Sequence, residues 1–289
     1  MNKKSIINWI ILLILSTIWG SSFILMKKSL IKFSYIEVGL YRLLIAFIML
    51  SPFLKASFSK IKKPHIKPLL IVSIIGTLIP AIIFAKSQLY IQSYLAGMLN
   101  SLTPFFTFIL GFLVFNKKII PKNIVGILIG LLGTVILLSP LENNMINFKY
   151  SILIIFATLC YAISINTIKE NLNSLRPLEI AVISSFISAV IPFLYLVSTG
   201  FSYNIEKIYL NKNLFLYLII LGSVCTSIAI ILFNYLIKRT NALFASSTTY
   251  LIPVFAIIWG LLDAEKVSNL ELIGIIIILI GVFVMNHKK

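Results

Sequence analysis

Ten apolar runs, each about the length that crosses a bilayer, occupy nearly the whole chain and fall into two matching sets of five. They lie at roughly 7–26, 35–54, 68–90, 94–115, 123–140, 150–168, 177–198, 213–237, 242–262 and 268–286. The two sets correspond at nearly fixed offsets. Glu37 and Glu179, Ser22 and Ser164, and Lys27 and Lys169 stand 142 residues apart. Ala96 and Ala245, Pro104 and Pro253, and Gly111 and Gly260 stand 149 apart, and Gly126 and Gly274, like Gly133 and Gly281, 148 apart. An odd-numbered unit duplicated in tandem enters the membrane the second time with opposite orientation. The pattern predicts an all-α integral membrane protein of ten transmembrane helices, an inverted 5+5 repeat over 8–140 and 149–286. Such repeats form carriers whose substrate site lies between the halves.

A hydrophobic share of 60% against 11% charged residues excludes an ordinary soluble domain. No segment outside the runs is large enough for a soluble catalytic core, so an enzyme is not expected. The net charge of +17 sits between the runs rather than on a nucleic-acid-binding face. With the amino terminus in the cytoplasm, the loops on that side carry sixteen Lys and Arg and the outer loops eight, with Arg42 inside a helix. That bias predicts both termini cytoplasmic, in a plasma or inner membrane. The first run follows Lys3 and Lys4 but continues through Trp19-Gly20 without a small-x-small cleavage site, and is read as a retained helix. Cys160 and Cys225 are isolated inside runs, which predicts neither a disulfide framework nor a metal site. No cofactor is expected. The Lys-rich stretch 55–67 and the outer segment 199–213 read as connectors, and the basic one can touch anionic lipid headgroups.

The acidic residues read first as structural. Ser34-x-x-Glu37 forms a capping box, and Pro177 with Glu179 opens the seventh run in a similar way. Asp263 and Glu265 end the ninth run and are expected in solvent. No Asp, Glu or His lies mid-membrane, so transport driven by protonation of a buried side chain is not expected.

Arg42 is the most costly residue to bury, at least about 2.5–3.5 kcal/mol on insertion scales, and must face protein or water. Two readings stand: it reaches a headgroup or a carbonyl, or it attracts an anionic group such as a substrate carboxylate. Polar clusters surround the middle of several runs: Trp19 to Ser22, Asn100 to Thr103 before Pro104, and Ser246 to Thr249 before Pro253. Tyr161 and Asn166 occupy the stretch equivalent to the first cluster. Pro104 and Pro253 each break a helix and free a carbonyl, which persists only where protein or cavity water satisfies it. Trp19, Ser22, Arg42, Asn100, Tyr161, Asn166 and Thr248 are therefore candidates to line a path, in a cavity drawing on the first, third, fourth, sixth, eighth and ninth runs. Gly126-x-x-x-Gly130-x-x-Gly133, with Gly274 and Gly281, predicts close helix contact, within its own half or in a homodimer.

Trp19-Gly20-Ser21-Ser22-Phe23, Arg42, Ala96 through Pro104, Gly126 and Gly133, with Ala245 through Pro253, Gly260, Glu265 and Gly274, together resemble the drug/metabolite transporter superfamily with two EamA repeats. The resemblance covers about 8–286. It implies ten helices around a central cavity and the movement of small polar metabolites, often amino acids and commonly outwards, by alternating access. It names a class and not a cargo. One departure stands out: the acidic residue present as Glu265 in the second half is replaced by Asn116-Lys117 in the first. A membrane sensor or scaffold is the alternative class; a channel or a lipid enzyme finds no filter, charged ring or metal cluster to support it.

Overall fold

A computed structural model describes residues 3–117, 121–138 and 145–286, and among them there is helix but no strand. The helices are α1 (Lys3–Ser29), α2 (Tyr35–Phe58), α3 (Lys63–Ser87), α4 (Ser93–Leu113), α5 (Pro121–Leu138), α6 (Met145–Asn171), α7 (Pro177–Thr199), α8 (Phe201–Leu210), α9 (Lys212–Arg239), α10 (Ala242–Leu262) and α11 (Asn269–Asn286). Among the described residues eight are long and apolar enough to cross a membrane: α1 to α4, α6, α7, α9 and α10. A shorter apolar stretch, Asn269–Gly281, belongs to α11. The break expected at 141–147 lies mostly outside the described residues, and α6 has begun by Met145.

The connector at 199–213 is largely a helix rather than a loop. Gly200 takes φ +84°, which ends α7, and α8 follows at once. Its Asn204 is buried against Tyr41, and Lys207 Nζ meets Glu37 Oε1 at 2.7 Å, while Ile205, Tyr209 and Leu210 stay exposed. That two-faced pattern suits the membrane boundary.

The leading helix of each half packs into the other half. α1 lies against α9 and α10, and α6 against α3 and α4. Gly20 permits the first approach: a Cβ there would stand 2.4 Å from Phe255 Cβ. Gly76 permits the second, with Ser164 Oγ at 2.2 Å from the same imagined atom. Arg239 Nε donates to Asn8 Oδ1 at 2.7 Å, and Lys169 Nζ donates to Thr240 O at 2.5 Å. The face where α1 begins is thus the face where α6 ends.

Two expectations change. The glycine-rich helices α5 and α11 pack chiefly on each other, across the halves, rather than within one half. Glu265 is not solvated but 6% exposed. It accepts from Ser93 N at 3.0 Å, Ser93 Oγ at 2.9 Å and Tyr94 N at 3.3 Å, so it caps the start of α4. Lys27 Nζ completes its partners at 2.6 Å. The end of α1 is thereby fastened to the end of α10. Beside it, hydrogen bonds from Lys27 and Lys28 hold the Asp263 carboxyl below its ordinary value. That contribution is whole above the ordinary carboxylate range and fades as pH falls through the depressed value.

The α5–α11 contact yields a paired test. A Cβ at Gly281 would meet Gly126 O at 2.5 Å and Gly130 N at 2.6 Å, whereas one at Gly130 meets nothing within 4 Å. Gly281→Ala is expected to lower stability by about 1–3 kcal/mol, overpacking outweighing the helix propensity gained. Gly130→Ala should hold or gain stability. Thermal unfolding in detergent compares them, and equal midpoints would refute the packing.

Candidate substrate cavity

Two helix breaks and two bulges shape the middle of the molecule. α4 halts at Ser101-Leu102 and restarts with Thr103–Leu113, Pro104 in its first turn. α10 passes through a 3₁₀ turn, Ser247–Tyr250, and restarts as Ile252–Leu262 with Pro253 similarly placed. Hydroxyls satisfy the carbonyls around these breaks: Ser101 Oγ donates to Met98 O at 2.6 Å, Thr103 Oγ1 to Asn100 O at 2.8 Å and Thr249 Oγ1 to Ser246 O at 2.9 Å. α3 and α9 each contain a π-helical stretch, Ile74–Leu78 and Ser223–Ile228. The stretches are equivalent at the offset of 149. In each, a threonine donates five residues back: Thr77 Oγ1 to Val72 O at 3.0 Å and Thr226 Oγ1 to Leu221 O at 2.8 Å. Such bulges recur at functional sites because they turn backbone and side chains out of helical register.

Between these elements lies a cavity of about 130 Å³. The sequence offsets organise its wall. At 142 they pair Trp19 with Tyr161, Ser22 with Ser164, Phe23 with Ile165, Met26 with Ile168 and Arg42 with Ser184. At 149 they pair Gly76 with Cys225, Thr77 with Thr226, Ala81 with Ile230, Phe84 with Phe233 and Asn100 with Thr249. Only Leu43, Val72, Thr103 and Asn234 line it without their equivalents.

Arg42 turns inward rather than toward a headgroup. Its Nε and Nη2 donate to Thr226 Oγ1 at 3.3 and 3.1 Å. Among the described residues no carboxylate pairs with it. Its remaining N–H groups are left to the cavity. Asn100 Nδ2 and the Tyr161 hydroxyl are likewise without a protein partner among the described residues, and both residues line the same space. The wall therefore offers one fixed positive charge and several donors, which suits an anion.

Aromatic rings flank the cavity in a crossed arrangement. Trp19 meets Phe233 edge-on at 4.9 Å, and Phe84 stacks on Tyr161 at 5.9 Å. Exchanging the halves turns one pair into the other. Trp19 Nε1 is held by Cys225 O, in the π stretch, at 3.1 Å. Phe84 is 3% exposed while Phe233 is half-buried, so the two pairs are not equally covered.

Of the residues expected to line a path, Trp19, Ser22, Arg42, Asn100 and Tyr161 lie in this wall. Asn166 and Thr248 do not. Asn166 Nδ2 donates to Thr107 O and Ala162 O, both at 3.0 Å, and so ties α6 to α4. Thr248 is fully buried: its hydroxyl donates to Ala245 O, and its carbonyl accepts from Ser16 Oγ at 2.8 Å. The tighter 3₁₀ turn brings Thr249 to the wall instead. The offset that pairs Asn100 with Thr249 was the signal for this, as it was for Thr77, Thr226, Phe84 and Phe233. The second and seventh runs also contribute, through Arg42 and Ser184.

Thr226 is the only anchor Arg42 has among the described side chains. Thr226→Val should lower unfolding stability by about 1.5–3 kcal/mol, the worth of a hydrogen bond to a charged group. Thr226→Ser should retain most of it. Chemical denaturation in detergent would decide; equal effects of Val and Ser would remove Thr226 as the anchor.

Comparison with known proteins agrees with this architecture. The profile of the EamA-like transporter family matches residues 7–139 and again 148–287. A protein of Archaeoglobus fulgidus named an uncharacterized transporter is 24% identical over 282 residues, covering 97% of this chain and 99% of that protein. The inner membrane transporter YedA of Escherichia coli K12 is 27% identical over 282 residues, 94% of this chain and 88% of its own. A protein of the same strain named a probable amino-acid metabolite efflux pump is 23% identical over 289 residues, 95% of this chain and 93% of its own. A crystal structure superposes with a TM-score of 0.67 at 14% identity, covering 96% of this chain and 95% of the other; this likeness concerns the fold alone. With most of its described helices apolar and of spanning length, and two matches to one profile, the chain belongs to the EamA-like transporter family and is a multi-pass membrane transporter.

Proposed function

We propose that this transporter moves small carboxylate-bearing metabolites, amino-acid-like in size, outwards and by alternating access. The reading takes ten spans in an inverted 5+5 repeat with both termini cytoplasmic. The opposed directions of α1 and α6 and the paired cavity wall support it. Arg42 carries the functional part. A guanidinium anchored on one hydroxyl, without a carboxylate partner, in a donor-lined cavity between the halves, is arranged to receive a carboxylate. The volume of about 130 Å³ is close to that of a cavity that holds benzene, about 150 Å³, and so limits the cargo to a few heavy atoms beyond the carboxylate. Efflux of an amino-acid metabolite is also what the name of the Escherichia coli relative states of that protein.

Alternation requires two closures that exchange. The Phe84–Tyr161 and Trp19–Phe233 pairs are equivalent under exchange of the halves and suit that role. The carboxylates Glu37 and Glu179 act as helix caps, Glu37 Oε2 accepting from Ser34 N at 2.7 Å and Glu179 Oε2 from Arg176 N at 2.6 Å. Neither lines the cavity, so neither carries a coupling proton.

Counterflow in proteoliposomes tests this. Arg42→Gln should weaken apparent affinity for a carboxylate substrate by about 10- to 150-fold, the equivalent of a charged hydrogen bond. The amide of that substrate should compete poorly with the wild type. An amide that competed as well as the acid would sink the carboxylate reading. Replacing Glu37 or Glu179 with Gln should leave the pH profile unchanged; a proton stoichiometry lost with either would refute the uncoupled mechanism.

A further inference from the structure

On the face where α1 begins, a second cavity of about 500 Å³ opens between the halves, and the transport site does not use it. From the first half it receives Lys60, Lys62 and His65; from the second, Ser174, Arg176 and Glu179. The floor is neutralised and internally bonded. His65 Nδ1 accepts from Lys62 N at 3.2 Å, which leaves the proton of the neutral ring on Nε2, donated to Ser174 Oγ at 2.8 Å. Glu179 is satisfied by Arg176, whose Nε meets Oε1 at 2.8 Å. The rim is not neutralised. Lys60 and Lys62 are exposed and take part in no salt bridge among the described residues. Three cations against one carboxylate leave an excess of two positive charges. The amino-terminal ends of α3 and α7 add their partial positive charge to the same basin.

The surroundings indicate what occupies such a basin. It sits where apolar helices meet the boundary, and Ile66, Leu70 and Ile74 are exposed one turn apart along α3, running from the basin toward the hydrocarbon. A phosphate at the rim and an acyl chain along that stripe belong to one molecule. We propose that the basin binds the phosphate of an anionic phospholipid headgroup, which bridges Lys60 and Lys62 of one half to Arg176 of the other. The bridge supplements the His65–Ser174 bond, a modest link between the halves at this basin. Lipid charge then sets how readily this face opens.

The test uses the full chain purified in detergent, with cardiolipin as probe, phosphatidylcholine as neutral control and inorganic phosphate as soluble control. Native mass spectrometry reads lipid retained and affinity. Lys60→Gln with Lys62→Gln removes no side-chain hydrogen bond or salt bridge among the described residues, only the electrostatic influence of Lys60 on Glu179, so its unfolding midpoint without lipid should lie close to the wild type's. Cardiolipin affinity should fall roughly 30-fold, two surface lysines' worth. Lys60→Arg with Lys62→Arg should restore it, which keeps the test valid if the Gln variant folds poorly. Lys55→Gln with Lys67→Gln, exposed in the same region but outside the basin, should bind as the wild type does. Equal loss in both Gln pairs would overturn the site in favour of diffuse attraction. Inorganic phosphate competing at cardiolipin's own concentration would overturn the lipid as occupant.

Discussion

A polar group in hydrocarbon must find its partner inside the protein, and the rest of this molecule follows from that requirement. The helix breaks at Pro104 and Pro253 are tolerable because serine and threonine hydroxyls take the nearby carbonyls. The π stretches in α3 and α9 place Thr77 and Thr226 at the wall while each hydroxyl is satisfied five residues back. Thr226 can then receive the Arg42 guanidinium with its lone pairs. The cavity is consequently bounded largely by groups already committed to the backbone, and the few left uncommitted among the described residues are the Arg42 N–H groups, Asn100 Nδ2 and the Tyr161 hydroxyl.

The two ends of the molecule are fastened unequally. At one, Lys27 and Glu265 join α1 to α10, with Glu265 almost wholly buried and holding three more hydrogen bonds. At the equivalent place in the other half, Lys117 joins Glu170 at 2.8 Å, α4 to α6. Lys117 corresponds to Glu265 at the offset of 148, and Glu170 to Lys28 at 142. Asn116 and Ala264, also equivalent, both take positive φ, so the turn itself is retained. At the departure of Asn116-Lys117 from the family pattern the turn is kept but the pairing is not: Lys28, the equivalent of Glu170, meets Asp263 rather than Glu265. The pairs differ in strength. Both partners of the second are partly exposed, which limits it to about 0–1 kcal/mol; in the first Lys27 is also partly exposed, but Glu265 is buried and keeps three further hydrogen bonds. Under alternating access, the end with Glu265 is the harder to open.

Much of this was legible in the sequence because membrane helices advertise their length and duplication advertises its offsets. The capping boxes of Glu37 and Glu179 and the proline breaks could be read from spacing, and five wall residues from their polarity or charge inside apolar runs. What could not be read depended on local winding or on long-range contact. Thr248 and Thr249 differ only by the phase of a 3₁₀ turn, and no spacing rule announces the π stretches. Asn166 looks as polar as Asn100, but its side chain is held by Thr107 on α4, 59 residues away in the chain, and by Ala162 one turn back. Glu265 ends an apolar run as a solvated residue would; only the approach of Ser93 and Lys27 buries it. The helix in the connector at 199–213 is hidden in the sequence because Gly200 and the polar residues beyond it resemble a loop as much as a boundary helix.

The wall is symmetric in shape and asymmetric in charge, and the two properties serve different ends. In the proposed alternating-access cycle closures exchange, a role that suits Trp19 with Phe233 and Tyr161 with Phe84, which are built alike. In that same proposal selection does not exchange, since one guest would be bound from either side. A second arginine at Ser184 would set two like charges in this small space, and they would repel. It would also call for a dianion. A single guanidinium at Arg42, equivalent to a serine in the other half, instead leaves one charge, which the proposed carboxylate would meet whichever end is open.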